Sequence, residues 1–339
     1  MTDQEVIDAF IKAGRSQRAT AKAINKSRSQ IQRILKRCAG MIPPEGTPAP
    51  ELLPPSDLPF EERLDYLKRR NRTRIEHERA KAWQAVRIPV AGPYGVAWFG
   101  DPHLDDPFCD LDAIERHARI CAETEGLYGA NGGDSINNWV GRLEGLHANQ
   151  NVTQEEAWEL VDWFMNRLGV RWLLWVLGNH DMWNHGRYIF ERTGAQRILM
   201  RDWDAKLRLI SPCGGVVRAW VRHDFKGSSI YNELHGLKRA AMQEEHADIY
   251  AAFHRHTFAS GQGELPGGRD YCIIRARGYK EYDFHSRVHQ FPEQRTGQTV
   301  VTVIEPNPDG PPLIHAFRDV QRGADFLTMI REEWKRENG

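Results

Sequence analysis

The sequence has no apolar run long enough to cross a membrane. Its longest, Trp172 to Leu177, is six residues, where a bilayer needs about 20. Met1 to Lys12 also lacks the basic-then-apolar layout of a secretion signal, so a cytoplasmic protein with no membrane partner is expected. Cysteine is scarce: Cys38, Cys109, Cys121, Cys213 and Cys272 are the five in 339 residues, and they are scattered. That argues against a disulfide framework and against a thiolate zinc site, leaving reduced bystanders. No internal repeat is visible. Net charge is absent as well, with 46 Lys and Arg against 46 Asp and Glu.

The charge is nevertheless uneven. Residues 1–40 hold nine basic against three acidic side chains, which leaves 37 against 43 in the remainder. A basic head on a mildly acidic body favours a nucleic-acid contact at the N-terminus. In that head Val6, Ile7, Phe10 and Ile11 recur at helical spacing until Gly14 interrupts them. A second helix fits Gln17 to Ile24. A third begins at Ser27, with Gln30 as its capping-box partner, and continues through Ile31, Ile34 and Leu35. The stretch from Gly14 to Leu35 resembles a helix-turn-helix, and this implies that Arg28, Ser29, Gln32 and Arg33 face the major groove of DNA. A basic module that docks a protein partner, or a solvated charged face, is the plainer alternative.

Seven prolines between Met41 and Pro59 predict an extended spacer, 41–58, after the 1–40 head. Phe60 to Val86 reads as one long charged helix, within a segment spanning 59–90. Its basic run, Lys68, Arg69, Arg70, Arg72 and Arg74, is better explained as a solvated face than as a phosphate track. Beyond Gly92 apolar strands alternate with helices. Val96–Phe99, Arg171–Leu177, Val216–Val221, Ile249–Phe253, Tyr271–Ala276, Thr299–Ile304 and Leu313–Phe317 are strand candidates. Asp110–Thr124, Thr153–Leu168 and a terminal segment from about Val320 read as helices. The expected fold is an α/β body over 91–339, two sheets packed in layers between helices, plus a small all-α N-terminal domain.

Five short polar motifs end apolar runs in this body: Asp101-x-His103, Gly133-Asp134-x-x-Asn137, Gly178-Asn179-His180-Asp181, His223 and His254-x-His256. Strand ends are where α/β sheets gather ligands, so residues from separate loops would converge in one cleft. Together they offer a full ligand set for two metal ions. The donors are oxygen and nitrogen without sulfur, which suits manganese, and also iron, zinc or cobalt. Any one of these residues alone is better explained as a polar core histidine or a turn carboxylate. The five in order are not.

The motif order resembles the calcineurin-like metallophosphoesterase superfamily, over roughly Val96 to Val320. The resemblance implies a layered two-sheet sandwich and two divalent ions. Carried over by motif, Asp101, His103 and His256 resemble the ligands of one ion, Asn179, His223 and His254 those of the other, and Asp134 the bridge. It implies hydrolysis of a phosphate ester by in-line attack of a hydroxide shared between the ions. His180 resembles the residue that stabilises the transition state or protonates the leaving oxygen, with Asp181 holding its ring in the productive tautomer. Asn137 would support a neighbouring loop.

Two departures stand out. Phe253 occupies the glycine position of the usual Gly-His-x-His, where it could reshape the loop or wall the cleft. Asn138 and Trp139 follow Asn137 where phosphoprotein phosphatases place an arginine, which weakens that reading. Asp105 and Asp106 are better explained by turn formation. Trp139, Trp183 and Tyr279 could stack on a base, although core packing is the default. The leading expectation is a phosphodiesterase acting on DNA, delivered to its substrate by the basic head. The alternatives are a phosphatase or phosphodiesterase of nucleotides or small esters, and a DNA-binding regulator with a vestigial metal site.

Overall fold

The structure, a computed structural model, describes residues 2–39, 42, 59–62, 64–65, 67–68, 83–184, 186–193, 198–280 and 299–338. Two compact units, Met1–Arg72 and Thr73–Gly339, divide the chain.

The first unit contains α1 (Asp3–Lys12), α2 (Gln17–Ala23) and α3 (Arg28–Arg37). Thr2 with Glu5 and Ser27 with Gln30 close capping boxes on α1 and α3, and Ser16 caps α2. Each cap satisfies backbone amides that the helix start leaves free, worth about 1 kcal/mol. Val6, Ile7, Ile31, Leu35 and Cys38 form the buried centre. Arg37 Nη2 reaches Asp3 Oδ1 at 2.6 Å and ties α3 to α1. Arg28, Ser29, Gln32 and Arg33 are exposed on α3. Of the long charged helix, helical turns occur within 60–68, where Lys68 pairs with Asp65; Arg69, Arg70, Arg72 and Arg74 lie outside the described residues.

The expected helix does not extend to Val86. Gln84–Arg87 is β1, paired in parallel with β6 (Asp204–Ile210). The cause is tertiary: Val86 packs against the core between the sheets, and Trp83 on an apolar cluster on the outer side.

The second unit is built on two six-stranded mixed sheets among the described residues. One has the order β12 (Leu313–Phe317), β11 (Val300–Glu305), β2 (Tyr94–Phe99), β3 (Leu127–Asn131), β4 (Trp172–Leu177), β5 (Leu199–Asp202). The other runs β1, β6, β7 (Val216–Arg222), β8 (Ile249–Ala252), β10 (Arg269–Arg275), β9 (Ala259–Leu265). Alternate residues such as Val96, Trp98, Val176, Val221, Ala251 and Ile274 meet in the core between them. The opposite faces are covered as well, so the central strands are apolar on both sides. On the first sheet, α4 (Leu111–Glu123), α5 (Gln154–Asp162) and α9 (Val320–Asn338) bury Ile114, Ala118, Val161 and Leu327. On the second, α8 (His235–Gln243) buries Leu237 and Ala241 against Trp220 and Tyr250. The layers are therefore helix, sheet, sheet, helix.

Within each sheet β2, β3 and β4 run parallel, and so do β7, β8 and β10. The carboxyl ends of both sets carry the five motifs. No described helix is long and apolar enough to cross a membrane.

Candidate metal centre

The first three motifs leave β2, β3 and β4, and the last two leave β7 and β8. The short helix α6 (Asn179–Met182) opens directly on the third motif, and α7 (Gly186–Thr193) follows it. The loops are locked to one another by backbone bonds: His103 N donates to Asp134 O at 3.0 Å, and Leu104 N to Ser135 O at 2.8 Å. The loops cross at close quarters. A Cβ on Gly178 would fall 2.2 Å from Asp134 Oδ1, so only glycine lets the third motif pass the second.

Asp134, His223 and His254 bring one donor atom each into a group within 4.8 Å of one another. Asp134 Oδ2 lies 3.0 Å from His223 Nε2, 3.9 Å from His254 Nδ1 and 4.0 Å from His180 Nε2. His254 Nδ1 is 3.1 Å from His223 Nε2. Asp101 stands next to this group, with Oδ1 3.7 Å from His223 Nδ1 and Oδ2 3.9 Å from His256 Nε2. The ring of His103 lies 5.2 Å from that of His256 and 5.1 Å from that of His180. Asp101, His103, Asp134 and His223 are all buried.

Three observations fit a divalent cation here. Asp101 Oδ1, His103 Nδ1 and Asn179 Oδ1 are buried with no hydrogen-bond partner, an arrangement that costs energy unless a cation or water receives the lone pairs. Asp101, His103, Asp134, His254 and His256 all adopt left-handed backbone, with φ of 39, 45, 52, 67 and 53°. Each such residue costs about 1 kcal/mol or more, and such strain clusters at functional sites. The donor set is carboxylate, amide and imidazole, suited to a first-row divalent ion.

The electrostatics have the same origin. Burial and the neighbouring Asp134 charge push Asp101 up to about 7, although His223 opposes this. Burial works against ionisation of Asp134 too, but the charge and hydrogen bond of His223 outweigh it and hold that carboxyl well below its usual range. His223, buried but facing Asp134 and Asp101, is raised to about 10. Burial lowers both His103 and His180.

Asp181 does not hold the His180 ring. Its carboxylate accepts from Ser135 N at 2.7 Å and Gly178 N at 3.0 Å, and so fastens the second and third motifs. The ring is oriented instead by Asn137, whose backbone carbonyl lies against His180 Nδ1. A carbonyl can only accept, so Nδ1 carries the proton and Nε2 is the atom turned towards Asp134. The Asn137 amide bridges Asp106 Oδ2 at 3.0 Å and Lys280 Nζ at 2.9 Å.

Phe253 does not wall the cleft. It is fully buried between the sheets, against Gly132 and Gly100. Asp105 is more than a turn residue: it is 5 % exposed and accepts from Asn137 N at 2.7 Å and Gln150 Nε2 at 2.5 Å. Asp106 does cap a turn, accepting from Phe108 N, but also pairs with buried Lys280 at 2.9 Å. Asp224 and Arg275 were not legible as site supports. Arg275 is fully buried, bonded to Asp224 Oδ1 at 3.3 Å and Phe253 O at 2.6 Å, next to His223 and His254. A lone arginine in the apolar run Tyr271 to Ala276 was the available signal.

No protein-family model matches this chain, and no curated protein does. Among solved structures, Vps29 of Chaetomium thermophilum aligns over 66% of this chain and 97% of its own, at 11% identity and a TM-score of 0.35. A protein of unknown function from Aquifex aeolicus, AQ665, aligns over 52% of this chain and 83% of its own, at 14% identity and a TM-score of 0.29.

Proposed function

We propose that the chain is a dinuclear metal-dependent phosphoesterase of the calcineurin-like type, acting as a phosphodiesterase on DNA. The observation that carries this reading is the group of buried Asp134 and His223 with exposed His254, flanked by Asp101, His256 and His103 on strained loops. Asp101, His103 and His256 would hold one ion, Asn179, His223 and His254 the other, with Asp134 between them. When bound, two divalent ions, manganese foremost, supply an acidified water and neutralise charge on the phosphate oxygens.

The chain's own residues supply the rest. His180 turns Nε2 to the cleft side, 4.0 Å from Asp134 Oδ2, and in its imidazolium form the proton on Nε2 can pass to a leaving oxygen, leaving the neutral ring with its proton on Nδ1. Asn137 fixes that tautomer, and Asp181 fixes the turn on which His180 sits. For DNA the support is the head, where Arg28, Ser29, Gln32 and Arg33 are exposed together on one helix.

Hydrolysis of bis(p-nitrophenyl) phosphate, single-stranded DNA and duplex DNA with added manganese tests the reading. The intact chain, Asp134→Ala and a paired Arg28→Ala/Arg33→Ala variant should be compared. Turnover lost in Asp134→Ala, with DNA cleavage selectively weakened in the paired variant, is the expected result. Cleavage of the small diester with DNA untouched would move the assignment to nucleotides or small esters. Salt-sensitive DNA binding without any turnover would leave only a regulator.

A further inference from the structure

Two tryptophans enclose the ring of His180. Trp139 meets it edge-on with centroids 5.0 Å apart, and Trp183 lies 4.4 Å away at 51°. Both stay partly exposed although Ile136, Asn137, Asn138 and Asp181 around them are buried. Neither belongs to the apolar clusters that form the core of the body. Lys280 Nζ lies 5.5 Å from the Trp139 ring centroid. Core packing therefore does not account for them, whereas Tyr279, fully buried against His117 and Thr299, is a core residue.

The pair is held in place by a built device. Asn138 Nδ2 donates to His180 O at 2.9 Å and to Trp183 O at 2.7 Å. Asn184 Nδ2 donates to Asn138 Oδ1 at 3.1 Å, and Gln154 Nε2 approaches the same oxygen at 3.3 Å. His147 Nε2 lies 3.1 Å from Trp139 O. Asn138 and Asn184, which adjoin the two tryptophans, both adopt left-handed backbone, at φ 42 and 47°. Strained turns and a buried amide thus fix the backbone that carries both tryptophans and the imidazole, which scattered surface aromatics would not require.

We propose that Trp139 and Trp183 form a stacking platform for the nucleobase attached to the leaving oxygen. This rests on the assignment of His180 as the group that faces that oxygen. Two partly exposed indole rings beside His180 suit a flat aromatic ligand, because base stacking on aromatics tolerates any base and needs no groove. A base inside a duplex cannot reach such a platform without unstacking, so single strands and free nucleotidyl esters are the substrate class.

The test compares an oligothymidylate with a strand of equal length made of abasic residues, using the intact protein with manganese. The wild type should prefer the base-bearing strand, and Trp139→Ala or Trp183→Ala should reduce the ratio of the two kcat/KM values by about 5- to 100-fold, largely through KM. Trp183→Phe should retain most of the preference. A wild type that cleaves both strands equally, or variants that lose activity equally on both, would overturn the platform. Similar kcat/KM for a dinucleotide and the oligomer would assign a nucleotide source, and a steep rise with length a strand. If no diester is turned over, the phosphoesterase reading fails, and equilibrium binding decides the platform separately. Quenching of tryptophan fluorescence by oligothymidylate but not by the abasic strand, diminished in the alanine variants, supports it. Equal quenching by both strands, or none, refutes it.

Discussion

His223 Nε2 lies 3.0 Å from Asp134 Oδ2, and the two residues come from different sheets, at the ends of β7 and β3. The contact closes the cleft side of the sandwich. His223 Nδ1 also donates to Gly132 O at 2.8 Å, one residue before the turn into Asp134. One imidazole therefore links the backbone of the first sheet to its carboxylate, and Nε2 is the atom left for a cation.

A ligand that binds this pair only in the folded state must stabilise the fold. Manganese at 100 times its dissociation constant should add about 2.7 kcal/mol. Thermal unfolding with and without chelator should show a rise for the wild type that Asp134→Asn largely abolishes. An equal rise in both would place the bound ion elsewhere.

Phe253 and Gly132 should prove strongly interdependent. A Cβ at Gly132 would sit 2.1 Å from Cγ of Phe253, so Gly132→Ala forces the ring out of a packed core at a cost of about 1–3 kcal/mol. Phe253→Gly, which restores the common glycine, leaves a cavity and should cost about 3–5 kcal/mol. In the double variant the clash is gone, so urea midpoints should show a smaller loss than the sum. Additive losses would mean that the ring is not held against Gly132.

The long apolar strands and the capped helices were legible because their signals are local. Asp110 and Thr153 are the N-caps of α4 and α5, and Tyr271 to Ala276 contains most of β10. β3 carries little strand signal, since Leu127-Tyr128-Gly129-Ala130-Asn131 is short and has no β-branched residue. The charged residues of β6 mask its alternation, although Ala205, Leu207 and Leu209 point inward. The motif residues were recognisable by type and order. Their partners were not: Asn137 acts on His180 through its backbone carbonyl, which no side-chain pattern encodes, and Asp181 faces amides contributed by two loops. Gln84 to Arg87 failed for the opposite reason, because pairing with β6 overrode a helical charge pattern.

Arg275 should matter both to stability and to the ion. Its guanidinium joins Asp224 to the carbonyls of Phe253 and Glu233, and Asp224 also receives Arg255 Nη2 at 3.3 Å. Arg275→Met leaves Asp224 with Arg255 alone in a partly buried setting and strips two carbonyls of their donor, and about 1–3 kcal/mol should be lost. Asp224 adjoins His223 and Phe253 adjoins His254, so calorimetric manganese titration should also give roughly 10-fold weaker binding or more. Arg275→Lys keeps the charge without the fork and should fall between the two. Unchanged affinity in a folded Arg275→Met protein would limit the arginine to the core.

His117 provides a pH-dependent part of stability remote from the proposed ligands. It is 9% exposed on α4, with Nδ1 3.0 Å from the Tyr279 hydroxyl. Burial, helped by the Arg116 charge, lowers its pKa to about 4 from an ordinary 6.5. The unfolded chain thus binds the proton more readily than the folded one. Stability from this group is complete above pH 6.5 and is lost as pH falls towards 4, by about 2–3 kcal/mol. Urea unfolding at pH 7.5 and 4.5 should show a smaller pH difference for His117→Gln than for the wild type, because glutamine cannot take up the proton. Identical differences would mean that His117 is protonated as easily in the fold as outside it, and the acid sensitivity would then belong to the buried carboxylates.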